Sequence, residues 1–261
     1  MNESVLYEVD GGIATITLNR PDRLNAMDKS LLEGAVDALS EAAHDSDVRV
    51  VIFTGAGRGF CAGGDLGATD TLGDGNLESK IGVLQAFQKS SKLLREMPKV
   101  TIAAINGPCA GGGFSWACAA DLRYSAASAK FTTAYLNAGL SGDFGGTWTL
   151  PRIVGSARAR ELYLLADKFT AEDAERYGFV SKVLPDEELM PYVQSLAERL
   201  LASAPIALQN IKRNLNDAED TSFTDALDCE ADRHVRTGRS EDSAEARSAF
   251  MEKRAPVFKG L

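Results

Sequence analysis

Histidine is nearly missing from this chain: only His44 and His234 occur, far apart in sequence. The four cysteines, Cys61, Cys109, Cys118 and Cys229, include no C-x-x-C pair. Neither a structural zinc site nor a disulfide framework is therefore expected, and Cys61 and Cys109 read as small buried hydrophobes. No apolar run approaches the length of a membrane span. Residues 1–10 have neither a basic leader nor an apolar h-region, so a cytoplasmic protein is expected. Basic residues are outnumbered, giving a formal net charge of -9, which argues against a general nucleic-acid binder but leaves room for one local phosphate-binding pocket. The dinucleotide fingerprint is absent too. After Gly55-Ala56-Gly57 the third glycine of G-x-G-x-x-G would fall at Phe60, and no P-loop occurs.

What is present is an ordinary globular balance, 44% hydrophobic and 25% charged over 261 residues, enough to bury a substantial core. Two short runs rich in Ile, Val and Thr flank Asp10-Gly11-Gly12 and predict a hairpin. Leu31, Leu32, Ala35, Val36 and Leu39 recur at helical spacing behind Asp28, a suitable N-cap. Residues 48–54 and 100–105 read as buried strands, each running into a glycine cluster, with helices expected over 77–97 and 114–120. Strand, glycine turn, helix is used twice, as in a layered α/β domain. From Ser156 helical periodicity dominates, interrupted by a short strand expected within 179–184. Residues 69–76 read as a mobile loop.

Chemistry is suggested by one carboxylate. Asp143 sits in Gly139-Leu140-Ser141-Gly142-Asp143-Phe144-Gly145-Gly146-Thr147-Trp148, the only charge between residues 131 and 151. Two other glycine clusters could each aim a backbone N–H at a substrate oxygen, because a residue without Cβ allows close approach to the backbone. Taken alone, each cluster reads as a structural turn. The bland alternative for Asp143 is that it caps a helix starting near Phe144, and Trp148, four residues after Phe144, reads as core.

Together, Gly59-Phe60-Cys61-Ala62-Gly63-Gly64-Asp65-Leu66 and Asn106-Gly107-Pro108-Cys109-Ala110-Gly111-Gly112-Gly113 resemble the paired oxyanion-hole motifs of the crotonase family, also called the enoyl-CoA hydratase/isomerase family. The similarity runs from the loop 20–26 through residues 171–184 to Phe250-Met251-Glu252-Lys253-Arg254 and Phe258-Lys259, and so covers essentially the whole chain. It implies an α/β fold built as a crotonase-like spiral of β-β-α repeats. Residues 1–200 would form the acyl-CoA-binding core, and residues 201–261 a helical subdomain that assembles homo-trimers or dimers of trimers. It also implies that a coenzyme A thioester is the substrate and that no metal or redox cofactor takes part.

By the same resemblance, the N–H groups of Gly64 and Gly112 would bind the thioester oxygen. Arg23, Leu24 and Ala26 match the family's CoA-side loop, Ala62 and Asp65 its adenine side, and Leu66 is a further substrate- or CoA-binding candidate. Lys259 would reach a phosphate, in its own or a neighbouring subunit. Where the hydratases carry two glutamates, this chain has Ser115 and Tyr135. Asp143 instead matches the acidic residue of the 1,2-epoxyphenylacetyl-CoA isomerase and enoyl-CoA isomerase branch, in which it shuttles a proton. The same position resembles the nucleophilic aspartate of 4-chlorobenzoyl-CoA dehalogenase. An acyl-CoA isomerase is the expectation. A hydratase with unusual residues, a hydrolase or dehalogenase, and a non-catalytic acyl-CoA binder are the alternatives.

Overall fold

The structure, a computed structural model, describes residues 3–68 and 71–261. The hairpin forms as expected: β1 (Val5–Asp10) pairs antiparallel with β2 (Ile13–Leu18) around Gly11 and Gly12, both in the left-handed region that the tight turn requires. Helix α1 (Lys29–His44) starts where Asp28 accepts the Leu31 N–H at 2.9 Å. Next come β3 (Val50–Gly55), α2 (Leu77–Glu96), β4 (Val100–Ile105), the two-residue β5 (Cys109–Ala110), α3 (Gly111–Ala119), β6 (Leu122–Ala126) and β7 (Lys130–Thr132). Part of the expected loop, residues 69–70, lies outside the described residues; 71–76 are turns and bends leading to Asn76, the N-cap of α2.

Beyond β7 lie α4 (Gly146–Val154), α5 (Ser156–Leu165), β8 (Phe169–Thr170), α6 (Ala171–Arg176), β9 (Val183–Leu184), α7 (Leu189–Leu201), α8 (Pro205–Ala218), α9 (Phe223–Thr237) and α10 (Glu241–Glu252). Two sheets result. The larger has the order β1-β2-β3-β4-β6-β9, parallel from β2 onward, and the smaller the order β5-β7-β8. This is the crotonase-like α/β spiral.

Strand alternation divides the core. Val51 and Phe53 of β3 and Ala103 and Ile105 of β4 point toward α1, α2 and α3, where Trp116 meets Phe53 edge-on at 5.5 Å. Val50, Ile52, Ile102 and Ala104 point the other way, onto Leu189, Val193 and Ala197 of α7. Both faces of β3 and β4 are thus covered, which is why these strands are apolar throughout.

Several local expectations are corrected. Helix α3 starts inside the glycine triplet, three residues earlier than its apolar run suggests. Only Val183 and Leu184 of the 179–184 segment are strand. Trp148 is not core: it is half-buried, with the guanidinium carbons of Arg95 and Arg152 at 4.4 and 3.6 Å from its ring.

Candidate active site

Both glycine clusters leave the C-terminal ends of neighbouring parallel strands, β3 and β4, so the sheet itself brings them together. Side-chain and backbone hydrogen bonds then stitch them. Asn106 Nδ2 donates to the Gly55 and Gly57 carbonyls at 2.8 and 2.9 Å, and Cys61 N–H and Ala110 N–H donate to the Pro108 and Cys61 carbonyls at 3.1 and 2.9 Å. Glycine is needed where the loops touch. A Cβ on Gly113 would stand 2.5 Å from Cys61 Cβ, and one on Gly63, whose φ is +88°, 2.9 Å from the Ala110 carbonyl oxygen.

Because α3 begins at Gly111, the N–H of Gly112 belongs to the first helical turn, where no intrahelical acceptor exists and the helix dipole is positive. Gly64 occupies the other loop, opposite Met27. Met27 N–H donates to the Gly63 carbonyl at 2.7 Å, and Asp65 N–H to the Met27 carbonyl at 2.9 Å. Among the described residues, nothing accepts the N–H of Gly64 or of Gly112. The Met27 side chain packs against Gly112, so a single residue contacts both donor segments.

Asp143 does not cap α4. The N-cap is Gly145, with φ 78° and no capping side chain. Asp143 Oδ1 instead accepts a hydrogen bond from the Tyr135 phenol, whose oxygen lies 2.9 Å from Ser115 Oγ. Ser115 is fully buried and Tyr135 nearly so. Ser115 and Tyr135, which the resemblance sets against the hydratases' glutamates, are therefore in contact here as a hydroxyl pair ending on Asp143. Burial raises the Asp143 pKa, while the Tyr135 hydrogen bond lowers it. Burial also pushes the nearby Cys61 thiol up to about 12, so it stays protonated near neutrality and is not a nucleophile there. Phe131 and Phe144 are buried as the apolar setting of Asp143 requires, but Leu140 is 58% exposed and contributes little to it.

The loop 20–27 is the floor of the first cluster. Leu24 adopts φ 50° and its carbonyl accepts Ala62 N–H at 3.0 Å, while Ala26 is buried. Asp65 is held by Arg20 at 3.0 Å and Arg23 at 2.9 Å. Its hydrogen bond from Arg23 leads the causes that bring its carboxyl down to about 2. Arg23 remains largely exposed, as does Leu66 at 87%. Lys259 is not brought to this site within one chain. Its N–H donates to Asp242 at 2.6 Å, and it lines a 260 Å³ cavity with Val48, Arg49, Pro98 and Lys99, at the opposite ends of β3 and β4.

Three contributors escape sequence reading. Fully buried Asn25 donates from Nδ2 to the Gly59 carbonyl at 2.7 Å and fixes the floor to the glycine loop. Met27 was unremarkable in a loop. Tyr163 of α5 lies parallel to Tyr135, with ring centroids 6.1 Å apart and planes within 8°. Only the arrival of a loop polar residue at a buried position could have marked Asn25, and burial is not readable there.

The enoyl-CoA hydratase/isomerase family model matches residues 8–261. The chain belongs to the enoyl-CoA hydratase/isomerase family. It is 39% identical over 261 residues to the 1,2-epoxyphenylacetyl-CoA isomerase of Escherichia coli (strain K12), covering 100% of each. It is 35% identical over 258 residues to the crotonyl-CoA hydratase of Syntrophomonas wolfei, covering 98% of each. Among solved structures, the Bacillus anthracis enoyl-CoA hydratase superposes with TM-score 0.92 at 30% identity, covering 99% of this chain and 100% of that one. The putative enoyl-CoA hydratase of Streptomyces coelicolor A3(2) superposes with TM-score 0.93 at 34% identity, covering 99% of this chain and 94% of that one. Enzymes of this family act on acyl-CoA thioesters, and both hydratase and isomerase names occur among these relatives. Among the described residues, no helix is long and apolar enough to cross a membrane.

Proposed function

We propose that this protein is an acyl-CoA isomerase, shifting a proton or double bond through a thioester enolate. The N–H groups of Gly64 and Gly112 hold the thioester oxygen, and Asp143 removes a proton from one carbon and returns it to another. The observation that carries this reading is the Ser115–Tyr135–Asp143 cluster. With hydroxyls at both hydratase glutamate positions, Asp143 is the carboxylate available for proton transfer. Orienting water and moving a proton with two separate carboxylates has no counterpart here.

The two donors act where charge develops. As the enolate forms, negative charge moves onto the thioester oxygen, and hydrogen bonds to it strengthen; one such donor contributes about 3 to 4 kcal/mol. The proton transfer balances without a metal or redox partner. Incubation with enoyl-CoA isomers in heavy-oxygen water tests the reading: an isomerised product free of label is expected. Label in a 3-hydroxyacyl product makes the protein a hydratase, and label in a released acid or in a group replacing halide makes it a hydrolase or dehalogenase. Thioester binding without turnover across short, long and aromatic acyl groups makes it a binding protein.

The same reading includes self-assembly in the cytoplasm. Helices α8 to α10 leave Ile211, Leu215, Phe223, Leu227, Phe250 and Met251 exposed, more apolar surface than an isolated chain tolerates comfortably, which supports a homo-trimer or dimer of trimers built on residues 201–261. In such an assembly Lys259 would serve a neighbour's site rather than its own.

A further inference from the structure

Tyr135 has one proton to donate, and it points at Asp143 Oδ1. Ser115 Oγ, 2.9 Å from the same phenol oxygen, must then be the donor in that pair, giving a directed chain Ser115 to Tyr135 to Asp143. Tyr163 completes the arrangement from α5. Its ring lies parallel to the Tyr135 ring in an offset stack, centroids 6.1 Å apart, and its hydroxyl is buried beside Ser115. Gly146, the first residue of α4, closes the space between Ser115 and Tyr163: a Cβ there would collide with both hydroxyl oxygens. No donor among the described residues reaches Asp143 Oδ2.

We propose that Tyr135 is a positioning residue for Asp143, clamped by Ser115 and the Tyr163 ring, which ties down Oδ1 and leaves Oδ2 as the oxygen that exchanges the proton. This rests on the assignment of Asp143 as the acid/base. In the forward step a C–H bond of the thioester breaks, its proton joins Oδ2, and its electron pair becomes the enolate. In the return step the enolate pair takes the proton back from Oδ2 at another carbon. Oδ1 keeps the Tyr135 hydrogen bond throughout, so the carboxylate need not turn.

The same contact sets when Asp143 is ionised. The groups that face it are Tyr135, Tyr163 of α5 and the Cys61 thiol of the first glycine loop, all neutral near pH 7; no Lys or Arg among the described residues pairs with it. Burial thus raises its pKa with only the Tyr135 O–H opposing. Removing that O–H should move the titration to higher pH.

The test compares the natural protein with Tyr135→Phe and Tyr163→Leu in full pH profiles of kcat, together with a carbon-13 NMR titration of the Asp143 carboxyl, assigned with Asp143→Asn. Tyr135→Phe should displace both the acidic limb and the NMR midpoint to higher pH, with a several-fold larger rate loss at low pH than at high pH. Tyr163→Leu, which keeps the phenol but removes its backing ring, should move both in the same direction by less, and carries the test if Tyr135→Phe does not fold. An unmoved midpoint in the folded variants overturns the inference whatever reaction is catalysed. Undiminished turnover by Asp143→Asn would instead overturn the acid/base assignment, so the two failures are distinguishable.

Discussion

Met27 Sδ stands 2.7 Å from where a Cβ on residue 112 would be, while the Met27 backbone pairs with the loop that carries Gly64. A side chain at 112 must therefore push on the residue that also fixes the other donor. The atoms met are the far end of a flexible side chain that can swing aside, so Gly112→Ala is expected to lower stability by about 1 kcal/mol, the low end of the range for overpacking. Gly64→Ala meets nothing within 4 Å and should stay within about 0.5 kcal/mol. Thermal melts of the two variants check the contrast, and equal losses would refute the coupling through Met27.

Asp143→Asn preserves shape and removes the base. Turnover should fall by at least about 100-fold with thioester affinity within a few-fold, because general acid–base catalysis is typically worth about 100- to 10,000-fold. Stability should move the other way. A carboxyl whose folded pKa is raised destabilises the fold above that pKa, and the penalty disappears as pH falls toward its unfolded value of about 3.9. The variant should thus melt higher than the natural protein at pH 8, and the gap should close on acidification. A lower melting temperature at pH 8 would contradict this.

How much of this was legible beforehand depended on whether the determining interactions are local. The β1/β2 hairpin, the Asp28 cap and the strand Val100–Ile105 are written in neighbouring residues: a turn, a cap and an apolar run. Strands β5 and β8 hold two residues each and exist only through pairing of Cys109 with Phe131 and of Phe131 with Phe169, contacts no local pattern announces. Trp148 misled for the same reason. Its helical spacing from Phe144 suggests core, but its ring is covered by the distant Arg95 of α2 together with Arg152, one turn further along α4. At the site, motif resemblance singles out Gly64, Gly112 and Asp143 as candidates, whereas the Ser115–Tyr135–Asp143 contact depends on α3 and the loop before α4 meeting in space.

Asp65 offers a pH test of the CoA-side floor. Its carboxyl is brought down to about 2, led by the Arg23 hydrogen bond, so the stability it confers is present above its unfolded pKa of about 3.9 and is lost as pH falls toward 2. Asp65→Asn removes the anchor of both Arg20 and Arg23, and should raise KM for acyl-CoA several-fold with little change in kcat. Melting curves between pH 5 and pH 2 should fall more steeply for the natural protein than for the variant. Parallel curves would mean that the ion pairs contribute nothing to folding.

Assembly is testable on the exposed helices. Phe223 is 79% exposed, and Phe250 and Met251 are 82% and 80% exposed. Sedimentation of the natural protein at micromolar concentration should give a trimer or hexamer. Phe250→Glu with Leu227→Glu should shift it toward monomer. A monomeric natural protein would remove the assembly reading and, with it, any phosphate contact by Lys259 across a subunit boundary.

Helix α8 is fastened to the core by a charge that has left water. Lys212 Nζ lies 2.7 Å from Asp121 Oδ2 and 2.8 Å from the Lys99 carbonyl, with its side chain 7% exposed, and burial lowers its pKa. Asp121 in turn accepts Thr101 N–H at 2.7 Å at the start of β4. Breaking a buried pair from one side leaves the other charge uncompensated and costs about 3 to 5 kcal/mol. Asp121 keeps some solvent access and the Thr101 hydrogen bonds, so Lys212→Met should fall at the lower end of that range. Combining it with Asp121→Asn removes the stranded charge, and the double variant should be more stable than the sum of the single losses predicts. Urea denaturation of the four proteins measures the coupling. Strict additivity would mean that Lys212 holds α8 through the Leu94 and Lys99 carbonyls alone, and that its charge is not what fastens the helix.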